Sequence, residues 1–153
     1  MKTLAIYIMV FLFGAIGIAQ KVSDKEYVDQ GLTELGLSDV YVKIVPMRGS
    51  LAKMASSNRE LRGHISGKDG QYIMQISPNL TIWQRRYVIA HELIHLKQYE
   101  NDSLIILTTN NVTYKDTTYN LFKSQYNWRP WETDAKAQGN LLYKTLNRHF
   151  RNQ

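Results

Sequence analysis

The 153-residue chain contains no cysteine. This excludes disulfide scaffolds, thiolate zinc sites, cysteine nucleophiles and the lipid-attachment cysteine of bacterial lipoproteins. Any bound metal must therefore be held by histidine and carboxylate side chains. Proline and glycine are also scarce, at 3 and 9 residues, and the hydrophobic fraction of 44% is typical of a globular protein. The length predicts one domain with one core.

The N-terminus carries a short positive start followed by an apolar run. Lys2 precedes an uncharged stretch over residues 4–18, and Gly17-Ile18-Ala19 places small residues where signal peptidase cleaves. We expect residues 1–19 to be a signal peptide and residues 20–153 to be a single secreted or periplasmic domain. The alternative is an uncleaved membrane anchor, but a membrane-spanning helix needs roughly 20 apolar residues.

The charge balance is moderately basic, with a formal net charge of +6. The basic residues are scattered rather than concentrated in one dense cluster, so a nucleic-acid partner is not expected. We also expect no stable membrane span once the signal peptide has been removed. The sequence leaves the oligomeric state open.

The first half of the predicted domain alternates between helical and strand patterns. Residues 22–37 have a partial helical period, and residues 40–45 are rich in β-branched side chains, which favours a strand. Residues 59–66 and 71–77 flank a turn with a glycine at each end, Gly67-Lys68-Asp69-Gly70. This predicts a β-hairpin with a four-residue turn.

The second half contains the two clearest helices. Thr81 and Gln84 have the spacing of a capping box, and no glycine or proline interrupts residues 81–100. Pro130 suits a first helical turn and opens a helix to about His149. Between the helices, the polar residues 101–128 predict a long loop or a small hairpin with too few apolar side chains for a core of its own.

The first of these helices contains the motif His91-Glu92-Leu93-Ile94-His95. Residues four apart lie on one helical face about 6 Å apart, so both imidazoles can bind one metal ion, with Glu92 beside them and within reach of a metal-bound water. The flanking residues are apolar, and burying two histidines and a glutamate without a metal would be costly. We predict a zinc site with His91 and His95 as ligands.

A catalytic zinc site usually has three protein ligands and one open position. Glu132 is the preferred third ligand because it lies in the first turn of the next long helix. The small residues Ala135 and Gly139 on the same face would let the two helices approach closely. The alternative is that Glu132 only interacts favourably with the helix dipole.

Other residues remain open as alternatives. His64 and His149 could supply a third or fourth ligand, whereas Glu100 lies five positions past His95 on another face of the helix. A donor that stabilises the reacting carbonyl oxygen is also expected. The sequence does not choose among its candidates for that role, which are Tyr119, Tyr126, Tyr143 and His149.

HELIH on one helix and the downstream glutamate of RPWETDA on another resemble the gluzincin branch of the zincin metallopeptidases. The resemblance implies an α+β fold in which the edge strand of a small, mostly antiparallel sheet lies over the HExxH helix. The strand at residues 72–77, directly before that helix, matches this layout. The sequence departs from the family pattern at Lys136, where several gluzincins carry an aspartate that orients a histidine. The nearest aspartate, Asp134, lies two positions before Lys136.

The resemblance further implies that His91, His95 and Glu132 bind Zn²⁺ and that Glu92 is the general base. The expected activity is hydrolysis of peptide bonds in a peptide or protein substrate by a metal-activated water. The alternative is a non-catalytic secreted zinc-binding or interaction module on a zincin-like fold. The presence of Glu92 favours the enzyme, because a module without turnover has no chemical need for a base.

Overall fold

The structure is a computed structural model that describes residues 22–47, 62–123 and 129–152. Within these ranges the chain is α+β, with three helices and two three-stranded sheets. The expected signal peptide lies outside the described residues. The elements in chain order are α1 (Asp24–Glu34), β1 (Tyr41–Pro46), β2 (Gly63–Lys68), β3 (Gln71–Ile76), α2 (Ile82–Glu100), β4 (Leu104–Ile106), β5 (Asn111–Tyr114), β6 (Thr117–Asn120) and α3 (Pro130–Arg151).

The first sheet has the order β1-β3-β2, with β1 parallel and β2 antiparallel to β3. The expectation that residues 72–77 form the edge strand is therefore wrong, because β3 is central. The strand pattern and its turn predict the hairpin neighbour β2, but nothing local encodes the parallel pairing with the distant β1. The edge strand that packs against α2 is β2, whose Gly63 lies against Val88 and Glu92.

The β2–β3 hairpin closes with two residues, not four. Asp69 and Gly70 form the turn with φ angles of 53° and 71°. Positive φ at both positions is the type I′ geometry that Asp-Gly favours, and its twist matches that of the flanking strands. Gly67 and Lys68 consequently belong to β2. The predicted first residues of this arm, 59–61, lie outside the described residues.

The polar region after α2, predicted as a long loop or a small hairpin across residues 108–113, contains a hairpin formed by β4 and β5. A third strand, β6, extends it to a second sheet with a small core. Strands β4, β5 and β6 pair antiparallel in sequence order. Leu104, Val112 and Tyr114 form a buried cluster with Trp131 of α3. The composition of residues 101–128 does not predict this cluster, because its largest member comes from the next helix.

Helix α2 is central in the fold, between the first sheet and α3. Its predicted capping box is confirmed, since Gln84 N donates to Thr81 Oγ1 and Thr81 N donates to Gln84 Oε1. The middle of α2 is almost completely buried and contributes Ile89, Leu93 and Leu96 to the main core. Among the described residues, no helix combines the length and apolar character needed to cross a membrane.

Candidate metal centre

Three side chains from α2 and α3 converge on one point. His91 Nε2 and His95 Nε2 are 3.1 Å apart, and each lies 3.5 Å from Glu132 Oε2. Bonds of about 2.0–2.1 Å to one tetrahedral ion place neighbouring ligand atoms about 3.3 Å apart. The three residues therefore form a group that could hold a metal ion.

The local structure explains why these atoms meet. His91 and His95 are one helical turn apart and present their rings on the same face of α2. Glu132 lies in the first turn of α3. The helices can approach because Gly139 faces the His91 backbone, where a Cβ on residue 139 would lie 3.0 Å from His91 Cα. The close helix contact expected from the small residues of α3 is present.

The other residues considered as ligands are not part of this group of described residues. His64 is exposed on β2. His149 packs its ring against Phe150 and lies 17 residues after Glu132 on the same helix, about 25 Å along the helix axis. Glu100, at the end of α2, accepts a hydrogen bond of 2.5 Å from Tyr72 Oη. Glu132 is thus the carboxylate that α3 brings to the two histidines.

Glu92 is buried beside the group, with a relative exposure of 7%. Edge strand β2 covers it, and a Cβ on Gly63 would lie 2.9 Å from Glu92 Oε1. Burial raises the pKa of the Glu92 carboxyl above its ordinary value, while His95, His91 and His64 oppose that shift. A carboxylate with a raised pKa accepts a proton more readily, which suits a general base.

The protonation of His95 depends on the carboxylates around it. Burial alone would lower the pKa of His95, but Glu132 and Glu92 reverse the shift, and the pKa lies above its ordinary value. A proton on His95 competes with a metal ion for the same nitrogen. Metal affinity should consequently decrease as the pH falls through this pKa.

Gln98 is a contact of the metal centre that the sequence analysis did not identify. Its Oε1 lies 2.9 Å from His95 Nδ1. This ring nitrogen faces away from the triangle formed by His91 Nε2, His95 Nε2 and Glu132 Oε2. The available signal was its position one turn after His95, on the same side of α2. Asp134, two residues after Glu132, hydrogen-bonds to Gln98, whereas Lys136 is exposed.

Among the described residues, Tyr99 is the tyrosine whose pKa is raised by burial and by the carboxylates Glu92 and Glu132. Burial raises the pKa of Tyr99 to about 12, and the charges of Glu92 and Glu132 add to the shift. The phenol is therefore neutral near physiological pH and retains its proton for hydrogen bonding. Tyr99 is not one of the oxyanion donors expected from the sequence.

The tyrosines expected from the sequence as oxyanion donors have other partners. Tyr119 packs edge-on against Trp131 at 5.5 Å between ring centroids. Tyr143 packs edge-on against Tyr87 at 5.7 Å. Tyr126 lies outside the described residues.

Comparison with protein-family models, with curated proteins and with solved structures finds no match.

The close contact at Gly139 gives a first testable prediction. Gly139→Val should lower the free energy of unfolding of the metal-free protein by about 1–3 kcal/mol, because the new side chain meets the α2 backbone, which cannot rotate away. Denaturant titration measures the change. Ala137→Val, at an exposed position of the same helix, is the matched control and should cost less than about 1 kcal/mol. Equal losses in the two variants would contradict the close packing.

Proposed function

We propose that this protein is a secreted or periplasmic zinc-dependent peptidase with a zincin-like arrangement of its active site. One observation supports the proposal most strongly. His91 Nε2, His95 Nε2 and Glu132 Oε2 are separated by distances that suit tetrahedral coordination, and the buried carboxyl group of Glu92 lies next to them.

The donor set favours zinc. Two imidazole nitrogens and one carboxylate oxygen match a ligand set of catalytic zinc sites, in which a fourth position is left for water or substrate. Calcium and magnesium prefer sites built from oxygen atoms alone. The group of described residues contributes three ligand atoms, which is the number a catalytic site needs.

A bound zinc ion would supply Lewis acidity, lowering the pKa of a coordinated water to about 7 and polarising the substrate carbonyl. Glu92 accepts a proton from the attacking water as the water oxygen bonds to the carbonyl carbon. When the carbon–nitrogen bond breaks, Glu92 returns this proton to the leaving nitrogen. Its burial under β2 keeps the carboxyl group out of bulk water, where it would be a weaker base.

The neighbouring edge strand supports a peptide as substrate. In the part of the chain that the structure describes, β2 pairs with β3 on one side and with no strand on the other. An extended peptide can add to such an edge through main-chain hydrogen bonds. Gly63 on β2 lies against Glu92, so a peptide on this edge would pass close to the proposed base.

The decisive experiment combines zinc titration with digestion of a broad peptide library. We expect the chain without residues 1–19 to bind one zinc ion and to cleave members of the library. Chelation should abolish cleavage and stoichiometric zinc should restore it, because the three ligands supply no Lewis acid of their own. Mass spectrometry of the products measures cleavage. Tight binding of one zinc without any cleavage would instead favour a non-catalytic zinc-binding module.

A further inference from the structure

The Gln98 side chain lies between His95 and the start of α3 and is only 3% exposed. Its Nε2 donates to Trp131 O at 3.2 Å and to Asp134 Oδ2 at 3.1 Å. Both partners only accept hydrogen bonds, so the amide nitrogen must face them. The amide oxygen therefore faces His95 Nδ1.

This orientation determines which ring nitrogen of neutral His95 carries the proton. Gln98 Oε1 can only accept, so His95 Nδ1, at 2.9 Å, must donate. The lone pair of His95 Nε2 then points towards His91 and Glu132. This is the tautomer that can bind a metal ion at the centre of the triangle.

The second sheet is connected to this arrangement through Asp134. Tyr114 Oη of β5 donates to Asp134 Oδ2 at 3.0 Å, and the Tyr114 ring packs against Trp131 with centroids 6.2 Å apart. Trp131 directly precedes Glu132. The same buried cluster thus positions both acceptors of the Gln98 amide and the helical turn that carries the third ligand.

We propose that Gln98 is a positioning residue that holds His95 in its Nδ1–H tautomer, and that Tyr114 connects β5 to this arrangement through Asp134. The inference extends the proposed metal site and depends on it for its functional meaning. Its structural content concerns the metal-free protein and can be measured without zinc.

The first test is the tautomer of His95 in the metal-free protein, read from two-dimensional ¹H–¹⁵N NMR of the imidazole nitrogens in mildly alkaline solution. We expect wild-type His95 to carry its proton on Nδ1. Gln98→Met keeps the length of the side chain but removes the acceptor, so it should shift His95 towards the Nε2–H tautomer. Gln138→Met is the matched control. Gln138 Nε2 also donates to Asp134, at 2.7 Å, but the acceptor for His95 Nδ1 is Gln98.

The second test is zinc affinity. Loss of a hydrogen-bond partner behind a ligating histidine typically costs 10- to 100-fold in metal affinity, and we expect a loss in this range for Gln98→Met. Tyr114→Phe keeps the ring and removes one hydrogen bond, so it should cost about 2- to 10-fold. Gln138→Met also removes one hydrogen bond to Asp134, so its loss of affinity should be no larger than that of Tyr114→Phe and clearly smaller than that of Gln98→Met.

A proton on Nε2 of wild-type His95 would overturn the proposal even if Gln98→Met failed to fold. An unchanged tautomer in a folded Gln98→Met protein would also overturn it, as would equal losses of affinity in the Gln98 and Gln138 variants. Wild-type affinity in Tyr114→Phe would remove the second sheet from the network. If the wild-type protein bound no zinc but showed the expected tautomer, the proposed function would fail and the positioning role of Gln98 would stand.

Discussion

Glu92→Gln should abolish most of the peptidase activity while leaving the zinc site intact. Glutamine has nearly the same shape as glutamate but cannot take a proton from water at neutral pH. General-base catalysis typically contributes 10²- to 10⁴-fold, so we expect kcat/KM to fall at least about 100-fold. Glu92 is not part of the ligand triangle, and its replacement should leave the stoichiometry of zinc binding at one ion per chain.

The matched control is Glu100→Gln, the same chemical change at the exposed end of the same helix. Its hydrogen bond from Tyr72 can be retained because the glutamine carbonyl also accepts. We expect this variant to keep wild-type activity. Near wild-type turnover in Glu92→Gln would exclude Glu92 as the base and would leave the mechanism without a proton acceptor.

The parts of the site that the sequence predicted depend on local geometry. His91, Glu92 and His95 lie within five consecutive residues, and one helical turn fixes their relative positions. The capping box at Thr81 and Gln84 and the first-turn proline of α3 mark the helices that carry the site. Glu132 was predicted by combining such local signals, since it lies in the first turn of a long helix whose face contains small residues.

The features that could not be predicted depend on contacts between distant segments. The parallel pairing of β1 with β3 makes β2, not residues 72–77, the edge strand beside α2. The second sheet acquires its core only through Trp131 of α3. Gln98 has no sequence motif, and its importance becomes visible only when Asp134 and the Trp131 carbonyl orient its amide.

Glu132 is the residue on which the assignment of the metal site depends most. If it is the third ligand, Glu132→Ala should weaken zinc binding more than about 100-fold, beyond the loss expected for an indirect contact. The two remaining histidines would lack one ligand and the negative charge that offsets the ion. His95→Ala provides the reference for loss of a ligand. Competition with a zinc-sensitive dye measures the zinc affinity of the wild-type protein and of both variants.

Glu132→Asp separates coordination from the helix-dipole alternative. Aspartate keeps the charge in the first turn of α3, so a residue needed only for the dipole would tolerate the change within about 1 kcal/mol of unfolding free energy. A ligand would not tolerate it, because Oε2 already lies 3.5 Å from both histidine nitrogens and the shorter side chain withdraws the oxygen from the triangle. We expect Glu132→Asp to lose zinc affinity while the metal-free protein keeps its stability. Glu26→Ala in the first turn of α1 also removes a capping-box hydrogen bond from Ser23 N, so it gives an upper limit for what a first-turn glutamate contributes to stability, and it should leave zinc binding unchanged. Unchanged affinity in both Glu132 variants would assign the third ligand to another residue and separate this chain from the gluzincin pattern even with His91 and His95 in place.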